Sequence, residues 1–240
     1  MKPQIISGFD AGSHNRDLGA TVHRLRAESA YQDLSTVIVI PAFENISTRI
    51  VASWWNMMTP PNQKCVKLFA QGMEVGEAYS QTIESVVNHS ELSKFKFVLT
   101  LEHDNAPPPD GLCRLQACAV AHPEFDVIGG LYFTKGHGGV AQIWGDPNEH
   151  PINFRPQLPD PNGGLRECCG TGMGFTLYRM KIFKDKKLRR PWFKTTASQQ
   201  EGAATQDLYA WNDWRQHGYR CAIDCSVKVG HWDADGEVMW

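Results

Sequence analysis

Glu102-His103-Asp104 stands at the end of the apolar run FVLTL (97–101), so two carboxylates one residue apart leave a strand together. Such a pair can approach a hard divalent cation and, through it, a diphosphate. An exposed turn with solvated charges would use the same letters. Asp207, in Thr205-Gln206-Asp207, precedes the helical stretch LYAWNDWRQHG. Thr205 can serve as the N-cap, with Asp207 held by the helix dipole in the first turn; in the chemical reading Asp207 is aimed into a cleft as a general base. His231 follows Gly230 near the end of SVKVGHW, where an imidazole either packs structurally or completes an oxygen-rich metal site. Open parallel α/β sheets bind ligands outside the carboxyl ends of their strands, the edge where these groups are expected.

A second set of candidates lies between Tyr178 and Lys194, where Arg179, Lys181, Lys184, Lys186, Lys187, Arg189, Arg190 and Lys194 face the single acid Asp185. The run is either a solvated helix end and loop or a contact for a polyanionic acceptor or a donor diphosphate. Trp192 and Phe193 beside it could stack on a base or sugar. Gly170-Thr171-Gly172-Met173-Gly174 lacks the dinucleotide spacing and a following P-loop lysine. It either lets backbone approach the acceptor or packs a strand closely against a helix. Tyr79 is read as packing rather than stacking on a base. Cys221 and Cys225 share a strand face and read as buried thiols rather than zinc ligands.

Positioning these groups falls to alternating strands and helices. TVIVIPAF, from Thr36, is a continuous β-branched apolar run, expected as a central parallel strand buried on both faces. A helix opens at Asn45-Ile46-Ser47-Thr48 and stops at Thr59-Pro60-Pro61. CVKLFA (65–70) is a second strand, Glu77 to Asn88 a helix, and KFKFVLTLEHD (94–104) a third strand. Pro107-Pro108-Pro109-Asp110 starts a helix with Leu112, Leu115, Cys118 and Ala119 on one face. FDVIGGLYF (125–133) is another strand, and residues 134–167, rich in Gly, Pro, Asn and Asp, read as a long surface excursion. Regular pattern returns at CCGTGMGFTLYRMKIF (168–183), and a further loop spans 184–204. A helix from Gln206 to His217 is closed by Gly218, and CAIDCSVKVGHW (221–232) is the last strand. The class is α/β with a mostly parallel central sheet flanked by helices. Residues 1–35 are read as an extension carrying a helix over Arg16 to Gln32, and 36–240 as one catalytic domain.

With 240 residues, 42% of them hydrophobic, the chain can bury a large core without a disulfide or metal to hold it. A net charge of −2 excludes a generally basic protein that coats nucleic acid. No run approaches a membrane span, and MKPQIISGFDAGSHNRD has no signal-peptide core, so a cytoplasmic location in a bacterium or phage-infected cell is expected. Seven cysteines without a CxxC pair suit reduced thiols.

In order and spacing, VIVIPAFENIS, FAQGMEVGEAYSQTI, FVLTLEHDNAPPPDGLCRL, DVIGGLYF, CCGTGMGFTLYRMKIF, PWFK and TQDLYAWNDWRQHGYRCAIDCSVKVGH resemble the GT-A fold glycosyltransferases. The resemblance is to family 2, including small stand-alone bacterial and viral forms, and covers about residues 36 to 232. It implies a nucleotide-sugar donor, UDP-linked by preference, and a divalent metal, Mn²⁺ or Mg²⁺, bound by Asp104. His231 would complete the metal site, with Glu102 at the metal or the ribose. Pro41, Ala42, Phe43 and Glu44 would hold the nucleotide base, with His103 on the donor side. Asp207 would be the base of an inverting transfer, and Gly170, Thr171, Gly172, Arg189, Arg190 and Trp192 would lie on the acceptor side. The acceptor would be a glycan or a hydroxymethylated base in DNA. The chain departs from the family with Glu-His-Asp for Asp-x-Asp, Gln206-Asp207 for Glu-Asp, and Ala78-Tyr79-Ser80 for Ala-Arg-Asn. Two other classes compete: a non-catalytic module binding nucleic acid through 178–194, and a sugar nucleotidyltransferase, whose Gly-rich signature is missing after Ile40.

Overall fold

In TVIVIPA every side chain is buried, and the two-residue period of a strand sends Val37 and Val39 to one apolar layer and Ile38 and Ile40 to the other. This strand can therefore only be internal to a sheet covered on both faces. The structure, a computed structural model, describes residues 4–7, 32–43, 45–198 and 202–240. The expected helix over Arg16 to Gln32 and the base-site residue Glu44 fall outside the described residues, Gln32 excepted.

The main sheet has eight strands: β1 (Gln4–Ser7), β2 (Thr36–Ala42), β3 (Cys65–Gln71), β4 (Phe97–Leu101), β5 (Val127–Leu131), β6 (Leu165–Cys168), β7 (Phe175–Arg179) and β8 (Cys221–Lys228). Their spatial order is β1-β3-β2-β4-β7-β5-β8-β6. From the pairings, β3, β2, β4, β5 and β8 run one way and β1, β7 and β6 the other. The sheet is thus mostly parallel in strand direction. β1 pairs with β3, so the N-terminal extension contributes an edge strand.

Helices α1 (Thr48–Asn56) and α3 (Gly111–Ala121) cover one face, burying Ile50, Trp54, Leu112 and Leu115. The other face carries α2 (Val75–Asn88), the single turn α4 (Lys181–Lys184) and α5 (Gln206–Trp214), with Tyr79, Ile83, Phe183, Trp211 and Trp214 inward. Gly218 ends the last helical segment at φ 82°, the left-handed geometry that glycine adopts without strain. No helix among the described residues is long and apolar enough to cross a membrane.

Three expectations change. The stretch 221–232 is not one strand: β8 ends at Lys228, and Gly230–Asp233 leaves the main sheet to pair with Asn105–Ala106 and Val238–Met239. Residues 134–167 are not wholly a surface excursion, because Ala141 and Ile143 are buried and Ile143–Trp144 pairs with Gly170–Thr171. Within 184–204, Leu188, Trp192 and Phe193 are core side chains, and Thr196–Ser198 pairs with Gly202–Ala204. All seven cysteines are free thiols, and Cys221 and Cys225 face the same apolar layer.

Candidate active site

Because β2, β3 and β4 are parallel neighbours, their carboxyl ends open onto one edge. There Pro41, Ala42, Phe43, the segment Gly72 to Val75, Glu102, His103, Asp104 and Gln206 line a cavity of about 700 Å³. The size suits a small-molecule ligand. His103 stacks edge-on against the exposed Phe43 ring at 5.1 Å between centroids, forming an aromatic rim. Glu74 caps α2 by accepting the Glu77 N–H at 3.0 Å and accepts the Thr195 hydroxyl at 2.8 Å. Sequence reasoning misses Gly72 to Val75 and Gln206 as lining residues, because the glycines there signal only a turn into a helix.

The acidic turn is fixed at both ends. Glu102 N–H donates to Gly174 O at 3.1 Å, prolonging β4's pairing with β7, and Trp232 N–H donates to Asp104 O at 2.7 Å. The register Gly230↔Ala106 and His231↔Asn105 then brings His231 to Asp104. His231 Nε2 lies 3.4 Å from Asp104 Oδ2, and Lys135 Nζ lies 2.6 Å from the same oxygen. Asp104 Oδ1 is buried without a partner. Burial alone would raise the Asp104 carboxyl, but the hydrogen bonds from His231 and Lys135 outweigh it and hold the group well below the usual carboxylate range. His231 Nδ1 is 2.7 Å from Phe133 O; a carbonyl only accepts, so Nδ1 carries a proton. Nε2 then donates to Asp104 only in the doubly protonated ring and offers its lone pair to an ion in the neutral one.

A carboxylate and an imidazole nitrogen form a donor set suited to Mn²⁺ or Mg²⁺ completed by phosphate oxygens and water. Asp104 Oδ2 and His231 Nε2 converge to 3.4 Å, the pair such an ion would bridge, and the unpartnered Oδ1 leaves the carboxylate a second oxygen for it. Glu102 does not join them: among the described residues no three His, Cys, Asp or Glu side chains gather as a metal cage. Its carboxyl is pushed up to about 8, first by burial and then by the charges of Asp104 and Asp207. That environment favours the protonated acid, which can donate a hydrogen bond to a ligand oxygen.

That shift has a measurable sign. Folding favours protonated Glu102, so its contribution to stability is full below the ordinary value of 4.5 and is lost as pH rises through about 8. Glu102→Gln should therefore melt ~4 °C or more above the unsubstituted protein at pH 8, the gap narrowing towards pH 5. Melting curves at several pH values check this; a gap independent of pH would contradict the placement.

Asp207 is 5% exposed at the start of α5, and its Oδ1 has no partner. Burial raises its pKa, partly offset by the Thr205 side chain and the amides of Leu208 and Asp207. It is close enough to Glu102 for their charges to oppose. Tyr132, unremarked in the sequence, is buried within electrostatic reach of Glu102 and Asp207; its hydroxyl accepts the Gly174 N–H at 2.8 Å and its ring meets His231 edge-on. Tyr79 is fully buried against Phe193.

The residues expected on the acceptor side are not brought to the cavity surface. Gly170, Thr171 and Gly172 are buried; a Cβ at Gly170 would come within 3.1 Å of Trp211, and one at Gly172 would overlap the Tyr132 hydroxyl. At both glycines the backbone is closely packed. Trp192 is 2% exposed within a cluster of rings. Arg189 lies over the Tyr209 ring and donates to Tyr209 O at 2.7 Å, while Arg190 pairs with Glu84 at 3.2 Å. Two more basic residues of the run are bonded within the chain: Arg179 donates to Phe125 O and Ala119 O, and Lys181 pairs with Asp126.

No family model and no curated protein matches the chain. Solved structures do. A197 from STIV superposes with a TM-score of 0.59 at 16% identity, covering 85% of this chain and 92% of that one. GalNAc-T7, solved with UDP, GalNAc and Mn²⁺, superposes with a TM-score of 0.57 at 11% identity over 83% of this chain. The match spans only 44% of the GalNAc-T7 chain. At these identities the likeness establishes the fold, a GT-A-type α/β sheet.

Proposed function

We propose that the chain is a glycosyltransferase moving a sugar from a nucleoside diphosphate, UDP by preference, to a hydroxyl acceptor, with residues 36–240 as the catalytic domain. One observation carries the reading: one cavity at the carboxyl ends of three parallel strands is lined by Pro41 to Phe43, Glu102 to Asp104 and Gln206, the chain neighbour of the buried Asp207. GalNAc-T7, with UDP and Mn²⁺ bound, supports the ligand class. Phe43 and His103 would flank the nucleotide base, and Glu102, as a protonated acid, would donate to a ribose or phosphate oxygen. Asp104 and His231 would hold Mn²⁺ or Mg²⁺. Bound there, the ion would neutralise charge building on the departing diphosphate.

Asp207 would accept the proton of the acceptor hydroxyl as that oxygen bonds to the anomeric carbon. The bond from that carbon to the phosphate oxygen breaks, and the nucleoside diphosphate leaves with the electron pair. Attack opposite the leaving group inverts the configuration. A glycan is favoured over modified DNA as acceptor, since Arg179, Lys181, Arg189 and Arg190 are spent on partners within the chain and leave less basic surface for a polyanion. The same pairing counts against a nucleic-acid-binding module.

A thermal-shift screen tests the donor: a UDP-sugar with Mn²⁺ should raise the melting temperature by ~2 °C or more near saturation, the shift disappearing with EDTA and in Asp104→Asn. If no nucleotide sugar shifts the protein with either metal, the reading fails.

A further inference from the structure

Lys135 belongs to no motif and yet makes the shortest contact to the acidic turn, 2.6 Å from its Nζ to Asp104 Oδ2. It rides a hairpin that follows β5, closed by Thr134 N–H to Val140 O at 2.9 Å and by the Phe133↔Ala141 bridge. Next to it Gly136 and Gly138 hold φ of 94° and 79°, a backbone that side chains rarely adopt. The hairpin is anchored on one side by Phe133 O to His231 Nδ1 and on the other by His137 against Trp240. The root of Lys135 is therefore fixed, while its four-carbon side chain, 36% exposed, can swing.

The charges give this placement a consequence. A diphosphate entering this cavity meets the carboxylate of Asp104, with Glu74 at the wall as well. Lys135 neutralises Asp104 by occupying Oδ2, the oxygen that also faces His231 Nε2. A divalent ion held by Asp104 and His231 needs that place, so ion and ammonium compete for one carboxylate. Displaced, the ammonium remains tethered beside the ion, where phosphate oxygens would be its strongest available partner.

We propose that Lys135 is a diphosphate-binding residue that guards Asp104 in the empty site and turns to the donor's phosphates when a divalent ion takes the carboxylate. The proposal rests on the glycosyltransferase reading for the nucleotide. Its ion and phosphate contacts can be measured without it.

The experiment compares the full chain with Lys135→Met and Lys135→Arg, with circular dichroism to confirm folding. Mn²⁺ is titrated into nucleotide-free protein and followed by the paramagnetic resonance of the free ion. Inorganic pyrophosphate and UDP are titrated calorimetrically at saturating Mn²⁺. Lys135→Met should bind Mn²⁺ about threefold or more tighter, because the competing ammonium is gone, and bind pyrophosphate about tenfold more weakly, the loss of one charge-assisted contact. Lys135→Arg should stay near the unsubstituted protein for pyrophosphate. A residue that only props the hairpin would weaken both ligands together. Opposite changes support the proposal; any other combination, including no pyrophosphate binding by the unsubstituted protein, overturns it. If the opposite changes appear with pyrophosphate while UDP and other nucleoside diphosphates are ignored, Lys135 stands and the nucleotide-sugar reading falls. UDP binding that is tight but untouched by Lys135→Met overturns the role of Lys135 and leaves the nucleotide-sugar reading in place.

Discussion

Asp207→Asn is expected to lower transfer about a thousandfold, the usual weight of a general base, while leaving donor affinity within roughly twofold. Asparagine keeps the shape of the side chain but cannot take a proton. The environment fits the role: burial raises the Asp207 pKa and its Oδ1 has no partner in the chain. A buried oxygen without a donor costs about 1–3 kcal/mol, which an acceptor hydroxyl would relieve on binding. The sign of the pH dependence follows. Because the base must be ionised, activity rises with pH through a limb displaced upward from the ordinary carboxylate range. The same burial opposes folding of the charged form, so Asp207→Asn should melt no lower than the unsubstituted protein at pH 8. Loss of activity together with loss of folding would leave Asp207 a structural group, and a variant retaining a third of the transfer rate would remove it from the mechanism.

What the sequence can disclose follows from how local each feature is. β2 is readable because a strand covered on both faces must be apolar at every position, and TVIVIPA is. From such strands the carboxyl-end rule places Glu102 and Asp104 at one edge without any structure. The Asp104–His231 contact depends instead on two-residue pairing of Asn105–Ala106 with Gly230–His231, too short to leave a periodic signal. The break between β8 and that strand is invisible for a related reason: apolar residues continue through Val227, Val229 and Trp232 while the partner strand changes. Lys135 sits in a glycine-rich hairpin whose order comes from contacts with His231 and Trp240, far along the chain. Gly172 and Gly174 carry two readings in the sequence, and the space a side chain would need there is filled by Tyr132 with Gln142 and Asn105, residues remote in the chain.

Trp192→Ala separates packing from recognition at the residue whose environment departs furthest from the sequence expectation. As a ring stacked on a sugar, Trp192 would be partly exposed, and its removal would raise KM with little effect on melting. The structure puts it 2% exposed, edge-on to Phe183 at 5.4 Å and beneath the Arg190 guanidinium at 4.5 Å. Phe183 in turn meets Tyr178, Phe193 and Trp214, so the ring belongs to one continuous aromatic layer between β7 and α5. Deleting a buried aromatic of this size costs ~3–5 kcal/mol, which for a domain of this length is about 10 °C in melting temperature. Trp192 Nε1 has no hydrogen-bond partner, so Trp192→Phe loses volume but no bond and should recover most of the loss. Trp55, 87% exposed, provides the contrast: Trp55→Ala should change stability by no more than ~0.5 kcal/mol. Melting curves for the three variants, with KM measured well below the transition, decide between the roles. An unchanged melting temperature with a raised KM in Trp192→Ala would return the residue to the acceptor side; a large melting loss with KM unchanged leaves it in the core that holds Asp207 and its helix against the sheet.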